Sequence, residues 1–454
     1  GANVPGFRNV ASNGIVRDLR LVGNRLWVAG AFTTMTGSTQ GQLVTLNAAT
    51  GVPDGYMALP VAGRHNGGTT AVHKIDISAD GTKLVGIGNF LTVGGMDRRQ
   101  IFMLDISGAS AAVADWQTNY YNATCSSSFD TYMRDLDFAP DGSYFVVSTT
   151  GGYRAGLSCD TQARFNTART GTGIVAEWVN TTGGDTTYAV EVTGAAVYVG
   201  GHFRWANNPS ASDRAGAGAV ARDGIAALDP INGMPFSWNP GRTRGVGVFD
   251  MLATSTGLWV ASDTDRIGNY EYHGRIAFFP LAGGTAVAPV VKPALPAGIV
   301  ALGPTAGQSP SPSTVRLREF TGTTVGRSSQ SAGAITWSNT KAAFMLNGTV
   351  YLANSDGTFV SRTFDGTTWG EPVAVNTHDQ LVVLSAWRTN ASRLPGAFFA
   401  GGRIYYTQTN DSALKTRYFT PENNVVGAAE ASRPTVAGLN LTLTRGMFLA
   451  GDSV

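Results

Sequence analysis

The sequence has little charge. Asp, Glu, Lys and Arg make up only 14% of its 454 residues, and the formal net charge is +2, whereas a typical domain has roughly 25% charged residues. No basic stripe or acidic tail occurs, which argues against a nucleic-acid partner. No apolar run reaches the roughly 18 residues that a membrane-spanning helix needs. No signal peptide is visible before the first residue, Gly1, as expected of a processed or trimmed chain.

Cysteine is also scarce. The two cysteines, Cys125 and Cys159, flank a single predicted hairpin unit. We therefore predict one disulfide, which would place the protein in an oxidising compartment. The alternative is a pair of free, buried thiols.

Glycine and apolar residues are plentiful. The chain has 58 glycines, 43% hydrophobic residues and 10% aromatic residues. The apolar runs are short, β-branched and aromatic, and none keeps a helical period. This composition predicts an all-β protein with a substantial core and many tight turns.

A repeat organises the first half of the chain. Five segments align without gaps, at intervals of 56, 61, 54 and 61 residues: "VRDLRL" from Val16, "VHKIDI" from Val72, "MRDLDF" from Met133, "TYAVEV" from Thr187 and "VFDMLA" from Val248. A turn and a second apolar run follow each one, and "ADGT" and "PDGS" supply the Asp-Gly pair that tight hairpins favour. Four-stranded antiparallel meanders at this period are typical of the blades of a β-propeller.

A tryptophan recurs near the end of three units, at Trp116, Trp178 and Trp238. We expect it on the outermost strand, where a large flat ring can fill the gap between neighbouring blades. The alternative is an exposed platform that stacks on a sugar.

The second half repeats differently. Residues 1–284 hold the five units, residues 285–313 form a Pro/Ser-rich crossing segment, and residues 314–454 hold more compact meanders, such as "FVSRTFDGTTWG" from Phe359. The economical prediction is one ring of about seven blades, within a range of six to eight. Two separate domains divided near residue 290 are the alternative. Because the chain stops inside a predicted strand pair, we expect the native protein to continue past Val454.

Several of these motifs resemble a known repeat family. "VYVGGHF", "GIAALDPINGMPFSWNPG" and "GLWVASDTDRIGN" are similar to the delta-60-type β-propeller repeats of secreted and surface-attached bacterial proteins, especially actinobacterial ones. The resemblance covers nearly the whole chain. It implies a propeller fold and an extracellular or cell-surface location, and it implies no particular activity.

Alternation along the first strand of each unit predicts an apolar row and a charged row. In a propeller the charged row would line the central channel, where an acidic rim could bind a cation or a polyhydroxylated ligand. A solvated channel wall with ion pairs, such as Asp18 with Arg20, is the alternative. The acidic members are Asp18, Asp76, Asp135, Asp137, Glu191 and Asp250.

Two loops combine aromatic and polar side chains that could bind a sugar. The first contains Trp116, Tyr120 and Tyr121, and the second contains His202, Arg204 and Trp205. Aromatic faces stack on sugars while Arg binds hydroxyl groups. Packing within the loops is the alternative.

A third loop is reminiscent of a calcium loop, although Ile267 occupies one position where a ligand is expected. Its oxygen donors are Asp263, Asp265, Asn269 and Glu271. A polar hairpin is the alternative, and Ca²⁺ is the only cofactor that the sequence suggests.

Three functions are compatible with the sequence. The leading hypothesis is a non-catalytic binding or adhesion module for a carbohydrate or an envelope polymer. The second is a polysaccharide-cleaving hydrolase or lyase that uses the axial carboxylates, since a glycosidase needs two carboxylates about 5 to 10 Å apart. The third is a structural scaffold that contacts another surface protein. The five scattered histidines show no metal-ligand spacing, and no nucleophile elbow occurs.

Overall fold

The computed structural model describes two compact units, Gly1–Gly216 with Ala221–Thr285, and Ala217–Val220 with Ala286–Val454. The described residues are 5–8, 10–152, 154, 156–209, 212–284, 286–289, 298–302, 314–320, 324–332, 335, 337–365, 368–434 and 438–449. Strands dominate both units, and α1, Ser385–Ala391, is the one α-helix among these residues. The prediction of an all-β chain is confirmed. None of the described helices has the length and hydrophobicity that crossing a bilayer requires.

Between residues 15 and 280 the strands are short and closely spaced. They are β1 Ile15–Val22, β2 Arg25–Ala31, β3 Leu43–Asn47, β4 Val61–Ala62, β5 Ala71–Ile77, β6 Lys83–Asn89, β7 Thr92–Val93, β8 Met96–Asp97, β9 Ile101–Asp105, β10 Ala112–Val113, β11 Met133–Phe138, β12 Tyr144–Thr149, β13 Thr161–Asn166, β14 Trp178–Thr181, β15 Thr187–Val192, β16 Val197–Gly201, β17 Trp205–Ala206, β18 Val220–Ala221, β19 Ile225–Leu228, β20 Val248–Thr254, β21 Gly257–Ser262, β22 Arg266–Ile267, β23 Glu271–Tyr272 and β24 Ile276–Pro280.

Five principal antiparallel sheets follow one another along the first unit. Their strand orders are β1-β2-β3, β5-β6-β9-β10, β11-β12-β13-β14, β15-β16-β19 and β20-β21-β24. Each begins with one of the five repeated segments. In the second and third sheets Gly81 and Gly142 adopt φ values of 68° and 70°, a left-handed conformation that glycine tolerates and that the tight turn requires.

The prediction of four strands in every sheet is only partly fulfilled. The second and third sheets have four strands, and the other three sheets have three. In the first and fourth sheets the outermost position is an isolated bridge, from Leu46 to Pro53 and from Leu228 to Pro235. Proline has no N–H group to extend a ladder, so these outer segments do not form regular strands.

The core of the first unit lies between successive sheets. One cluster joins Val85 and Met103 of the second sheet to Leu136 and Phe165 of the third. A similar cluster joins the first and second sheets, and another joins the fourth and fifth. The first strands of successive sheets, β1, β5, β11, β15 and β20, also lie next to one another. Each sheet is therefore stabilised mainly by the faces of its neighbours.

The recurring tryptophans occupy the gaps between sheets at their outer ends. Trp116 packs against Phe145 and Phe165 of the third sheet, with ring centroids 5.7 Å away in each case. The indole N–H of Trp178 donates to the Pro230 carbonyl of the fourth sheet at 2.8 Å. Trp238 lies edge-on to rings of both the fourth and the fifth sheets. The predicted packing role of these residues is confirmed.

The second unit is also built of meanders. Its strands are β25 Gly298–Leu302, β26 Thr314–Phe320, β27 Val325–Ala332, β28 Thr340–Leu346, β29 Thr349–Asn354, β30 Phe359–Thr363, β31 Val373–Ala374, β32 Ala397–Ala400, β33 Arg403–Tyr406, β34 Leu414–Thr420, β35 Val425–Val426 and β36 Ala431–Arg433. They form the sheets β25-β26-β27, β28-β29-β30-β31 and β32-β33-β34-β35, with β36 beside β34. Two short 3₁₀ helices lie at Trp337–Asn339 and Leu441–Leu443.

Some predicted segments of the second half lie outside the described residues. Of the crossing segment 285–313, only 286–289 and 298–302 are described. Of the C-terminal fragment that begins at Gly446, residues 446–449 are described and form no strand. Around α1, Trp387 packs edge-on against Phe359 and Tyr406, which ties the helix to the last two sheets.

The predicted disulfide is present. Cys125 and Cys159 are bonded, with their Cα atoms 5.7 Å apart, and both lie in the cluster between the second and third sheets. The bond ties the loop after Trp116 to the start of β13. It closes a long loop, and restricting such a loop in the unfolded chain is one way in which a disulfide stabilises a fold.

Replacing both cysteines should therefore destabilise the protein. We expect Cys125→Ser with Cys159→Ser to lower the free energy of unfolding by about 3 to 4 kcal/mol, because the sequence separation is 34 residues. Urea unfolding of the variant and of the oxidised wild type gives the comparison. Equal midpoints and slopes would contradict this expectation.

Candidate functional site

A β-bulge occurs at the same place in the first strand of all five sheets of the first unit. The register slips between Val16 and Asp18 in β1, and the corresponding slip recurs in β5, β11, β15 and β20. A bulge inserts one extra residue and re-aims its side chain. We call these extra residues the bulge row: Arg17, His73, Arg134, Tyr188 and Phe249.

The acid that directly follows the bulge contacts the backbone of the next sheet. The carboxylate of Asp18 accepts a hydrogen bond from the Ile75 N–H at 2.9 Å. Asp135 accepts one from the Val190 N–H at 3.0 Å. In both cases the donor lies two residues after its own bulge, so the bulges of neighbouring strands lie at matching levels.

A second layer repeats the arrangement two residues further along. Asp76 accepts from the Phe138 N–H at 2.8 Å, Asp137 from the Val192 N–H at 2.5 Å and Glu191 from the Ala253 N–H at 2.7 Å. We call these five carboxylate–backbone contacts the inter-sheet braces. Where the carboxyl group is ionised, a hydrogen bond of this kind is stronger than one to a neutral acceptor.

Ion pairs also connect the charged side chains of the first strands. Arg20 contacts Asp18 at 2.9 Å and Asp76 at 3.1 Å, and Lys74 contacts Asp135 at 3.2 Å. Asp250 differs, because it is exposed and accepts from the N–H of Met251 in its own strand at 3.0 Å. The structure thus brings five of the six predicted acids into contacts between sheets.

Burial disfavours ionisation of these acids. It raises the pKa of Asp135 to about 6, against the lowering effect of Lys74. It raises the pKa of Glu191 to about 7. Burial, followed by repulsion from Asp76 and Glu191, raises the pKa of Asp137 well above its usual range. The second layer therefore holds one or more protons at neutral pH.

The first predicted aromatic loop is mostly packed inward. Trp116 and Tyr121 are buried, whereas Tyr120 is half-buried and its ring lies edge-on to Tyr121 at 5.0 Å. Tyr120 lines a small cleft of about 170 Å³ next to the disulfide. Its other lining residues include Arg154, Leu157, Cys159, Thr181 and Pro209.

The second predicted loop forms a charged network. Arg204 contacts Asp185 at 2.7 Å and lies over the ring of the buried Trp205 at 4.2 Å. Arg244 contacts the same carboxylate at 3.1 Å and donates to the His202 carbonyl at 2.6 Å. Asp185 and Arg244 were not among the predicted residues, because they belong to sequence segments that are far from this loop.

The four predicted calcium ligands do not converge. Asp263 accepts from the Val246 and Gly247 N–H groups at 2.7 and 2.9 Å, while Asp265 faces Arg275 at 3.7 Å. Asn269 and Glu271 belong to the exposed hairpin of β22 and β23. Across the described part of the chain, no three acidic, His or Cys side chains are placed to hold a metal ion.

The bulge row could not be found by simple alternation. Alternation assigns the second letter of each repeated segment to the same face as the buried apolar residues. That letter is Arg, His, Arg, Tyr and Phe in the five units. Polar residues at a position predicted to be apolar were the available signal of a bulge.

The chain matches no family model and no curated protein. One solved structure to which it is similar is the β-propeller domain of Cps50 (Swd1) from Myceliophteria thermophila, with 8% identity, a TM-score of 0.33, and coverage of 92% of this chain and 97% of that one. This TM-score is too low to carry a conclusion about the number of blades or the closure of a ring.

The brace between Asp137 and Val192 can be tested by substitution. Asp137→Ala leaves the Val192 N–H without an acceptor and should lower the free energy of unfolding by about 1 to 3 kcal/mol. Asp137→Asn keeps a carbonyl oxygen in place and should cost less than half as much. Urea unfolding at pH 7 distinguishes the two variants, and equal losses would contradict the brace.

The raised pKa of Glu191 predicts a pH-dependent stability difference. Since the folded protein holds the Glu191 proton more tightly than the unfolded chain does, this group loses stabilising effect as the pH rises from about 4.5 to about 7. The free energy of unfolding of Glu191→Gln relative to that of wild type should therefore increase by about 1 to 3 kcal/mol between pH 5 and pH 8. Urea unfolding at both pH values measures the change.

Asp141→Asn provides the control for this experiment. Hydrogen bonds from Ser143 lower the pKa of Asp141, so that carboxyl is ionised in the folded and unfolded states alike above pH 5. The free energy of unfolding of Asp141→Asn relative to that of wild type should therefore be the same at pH 5 and pH 8. If the stability of Glu191→Gln relative to wild type were also the same at pH 5 and pH 8, the proposed protonation of Glu191 would be contradicted.

Proposed function

We propose that the first unit forms successive blades of a β-propeller in an extracellular protein, and that this protein is a non-catalytic binding module for a carbohydrate or an envelope polymer. The propeller assignment is supported by five antiparallel sheets in succession, with their first strands side by side. The location is supported by the disulfide, because such bonds persist mainly in oxidising compartments.

The cleft beside Tyr120 is the observation that carries the binding function. Its volume of about 170 Å³ suits a single sugar ring better than a drug-sized ligand, for which pockets of about 300 to 1,000 Å³ are usual. Its lining residues Tyr120, Arg154 and Thr181 are of the types that stack on a sugar and form hydrogen bonds with its hydroxyl groups. Cys159 pins the wall of the cleft through the disulfide, which limits the ordering cost of binding.

The axial carboxylates favour a structural role over a catalytic one. Each of the five that form braces accepts a backbone N–H of the next sheet. A glycosidase needs one carboxyl group directed at the leaving oxygen and a second directed at the sugar or at a water molecule. The raised pKa of Glu191 favours the alternative function, a polysaccharide-cleaving enzyme, because a general acid benefits from a pKa near 7.

A polysaccharide panel tests both functions together. The protein is mixed with insoluble bacterial-envelope and plant polysaccharides, the solids are pelleted, and the supernatant is analysed by mass spectrometry. We expect saturable depletion of the protein and no new oligosaccharides. New oligosaccharides that disappear in Glu191→Gln, with folding retained, would replace the binding module with the enzyme.

The Tyr120 ring should be required for this binding. Tyr120→Ala removes the stacking face and should weaken binding about 5- to 30-fold, as expected for the loss of roughly 1 to 2 kcal/mol. Tyr272→Ala is the matched control, because Tyr272 is 71% exposed on the β22–β23 hairpin and does not line the cleft. Equal affinities of the two variants would contradict the assignment of the cleft.

A further inference from the structure

The bulge row brings five side chains to the same level of five neighbouring strands. The braces fix this level, because Asp18 meets Ile75 and Asp135 meets Val190 at equivalent positions after their bulges. The row contains two guanidiniums, one imidazole and two aromatic rings. Bulges frequently occur where a strand presents a side chain to a binding site.

The two guanidiniums of the row make few polar contacts, and that of Arg134 also lies over the Phe129 ring, 5.3 Å from its centroid. Arg17 is exposed, and within the described part of the chain it makes no hydrogen bond or ion pair. Arg134 is half-buried and donates to the carbonyls of Thr131 and Met133, both at 3.2 Å. Neither guanidinium has a carboxylate at salt-bridge distance among the described residues.

His73 lies between these two cations. Burial, followed by the charges of Arg17 and Arg134, lowers the pKa of His73 to about 3. The imidazole is therefore neutral at physiological pH and has one N–H to donate. A neutral donor flanked by two guanidiniums is suited to an anion, because all three side chains can donate hydrogen bonds to it.

The buried acid Asp160, which interacts electrostatically with Arg134, offsets its charge incompletely. Asp160 is 1% exposed, and neither of its carboxylate oxygens makes a hydrogen bond within the described residues, although the backbone N–H groups of Gly151 and Gly152 lie near it. Burial and repulsion from Asp185 raise the pKa of Asp160 to about 7. This acid is therefore partly protonated at neutral pH, and the site keeps a positive charge.

An aromatic pair borders the cationic part of the row. Tyr188 and Phe249 are stacked with their ring centroids 5.1 Å apart. Gly247 lies close against Tyr188, since a Cβ there would come within 2.9 Å of the ring. Phe249 is 48% exposed, so this stacked pair presents an apolar surface to a ligand.

We propose that the bulge row is a binding site for an anionic sugar, in which Arg17, His73 and Arg134 hold a carboxylate or sulfate group and the Tyr188–Phe249 pair contacts the sugar ring. The two guanidiniums approach the anion from separate strands, so the site does not require a bidentate contact from a single arginine. The chemical class of the ligand, a sugar, rests on the proposed function, whereas the anion preference rests on the bulge row alone. None of the five bulge-row residues lines the cleft that contains Tyr120.

Titration of the intact chain with small ligands tests this site. The probes are galacturonate, glucose 6-sulfate, inorganic sulfate and glucose, with affinity measured by calorimetry and the His73 imidazole signals followed by NMR. We expect both anionic sugars to bind and to shift the His73 signals, and glucose to leave those signals unchanged. Binding should weaken when the salt concentration is raised from about 0.05 to about 0.5 M, because the interaction is largely electrostatic.

Variants separate this site from a general surface effect. Arg17→Gln removes an exposed guanidinium that makes no hydrogen bond or ion pair among the described residues, so folding should be unaffected while the affinity for galacturonate falls at least about tenfold. Arg134→Gln should have a similar effect. Arg99→Gln, an exposed arginine paired with Asp97 outside the row, is the matched control and should retain wild-type affinity.

Each contrary result has a distinct meaning. Equal galacturonate affinity in wild type and Arg17→Gln would overturn the site. Inorganic sulfate that binds as tightly as glucose 6-sulfate would overturn the contact with the sugar ring. If no anion binds but Tyr120-dependent polysaccharide binding persists, this inference fails and the proposed function stands. If the anions bind through Arg17 but no polysaccharide binds, the proposed function fails and the anion site stands.

Discussion

The structure of the first unit depends on one interaction, the hydrogen bond from a backbone N–H of one first strand to a carboxylate of the preceding one. The first strand of each sheet is an edge strand, so part of its N–H groups has no partner within the sheet. Such groups need an acceptor when water is excluded. Aspartate and glutamate side chains from the neighbouring sheet provide it at five positions, namely the N–H groups of Ile75, Phe138, Val190, Val192 and Ala253. Acidic side chains are therefore concentrated along the five adjacent first strands of a chain that otherwise has few charged residues.

The opposite ends of the sheets are held by a different interaction. Trp116, Trp178 and Trp238 fill the wider gaps at the outer ends with ring surface. Gly233 shows how closely this packing fits, since a Cβ there would lie 2.3 Å from a ring carbon of Trp178. Hydrogen bonds thus set the relative position of the first strands, and the tryptophan rings fill space between the sheets at their last strands.

The repeat made much of this arrangement predictable. The five first strands, the row of acids along them and the packing role of the tryptophans follow from residues at repeated positions, and the disulfide follows from two cysteines that flank one unit. The bulges could not be predicted in this way, because alternation assumes a regular strand. One extra residue moves all the side chains that precede it to the opposite face of the sheet. For the same reason Arg17, His73 and Arg134 were not recognised as a group. The network of Arg204 with Asp185 and Arg244 was also missed, since it joins loops with no shared pattern. Pro53 and Pro235, by contrast, were visible signals that an outer strand would be interrupted.

The braces run in one direction. Each of the five carboxylates accepts its brace from a backbone N–H of the sheet that follows it in the chain, whereas Asp250, in the last sheet of the first unit, accepts from its own strand. The contact between sheets is therefore head-to-tail, and such a contact uses two different surfaces of each unit rather than one self-complementary surface. Any unit that carries both surfaces can be inserted between two others, or deleted, without the need for a new interface. A gene that encodes such units can consequently lengthen or shorten by whole duplications, while each new copy finds its contacts already in place.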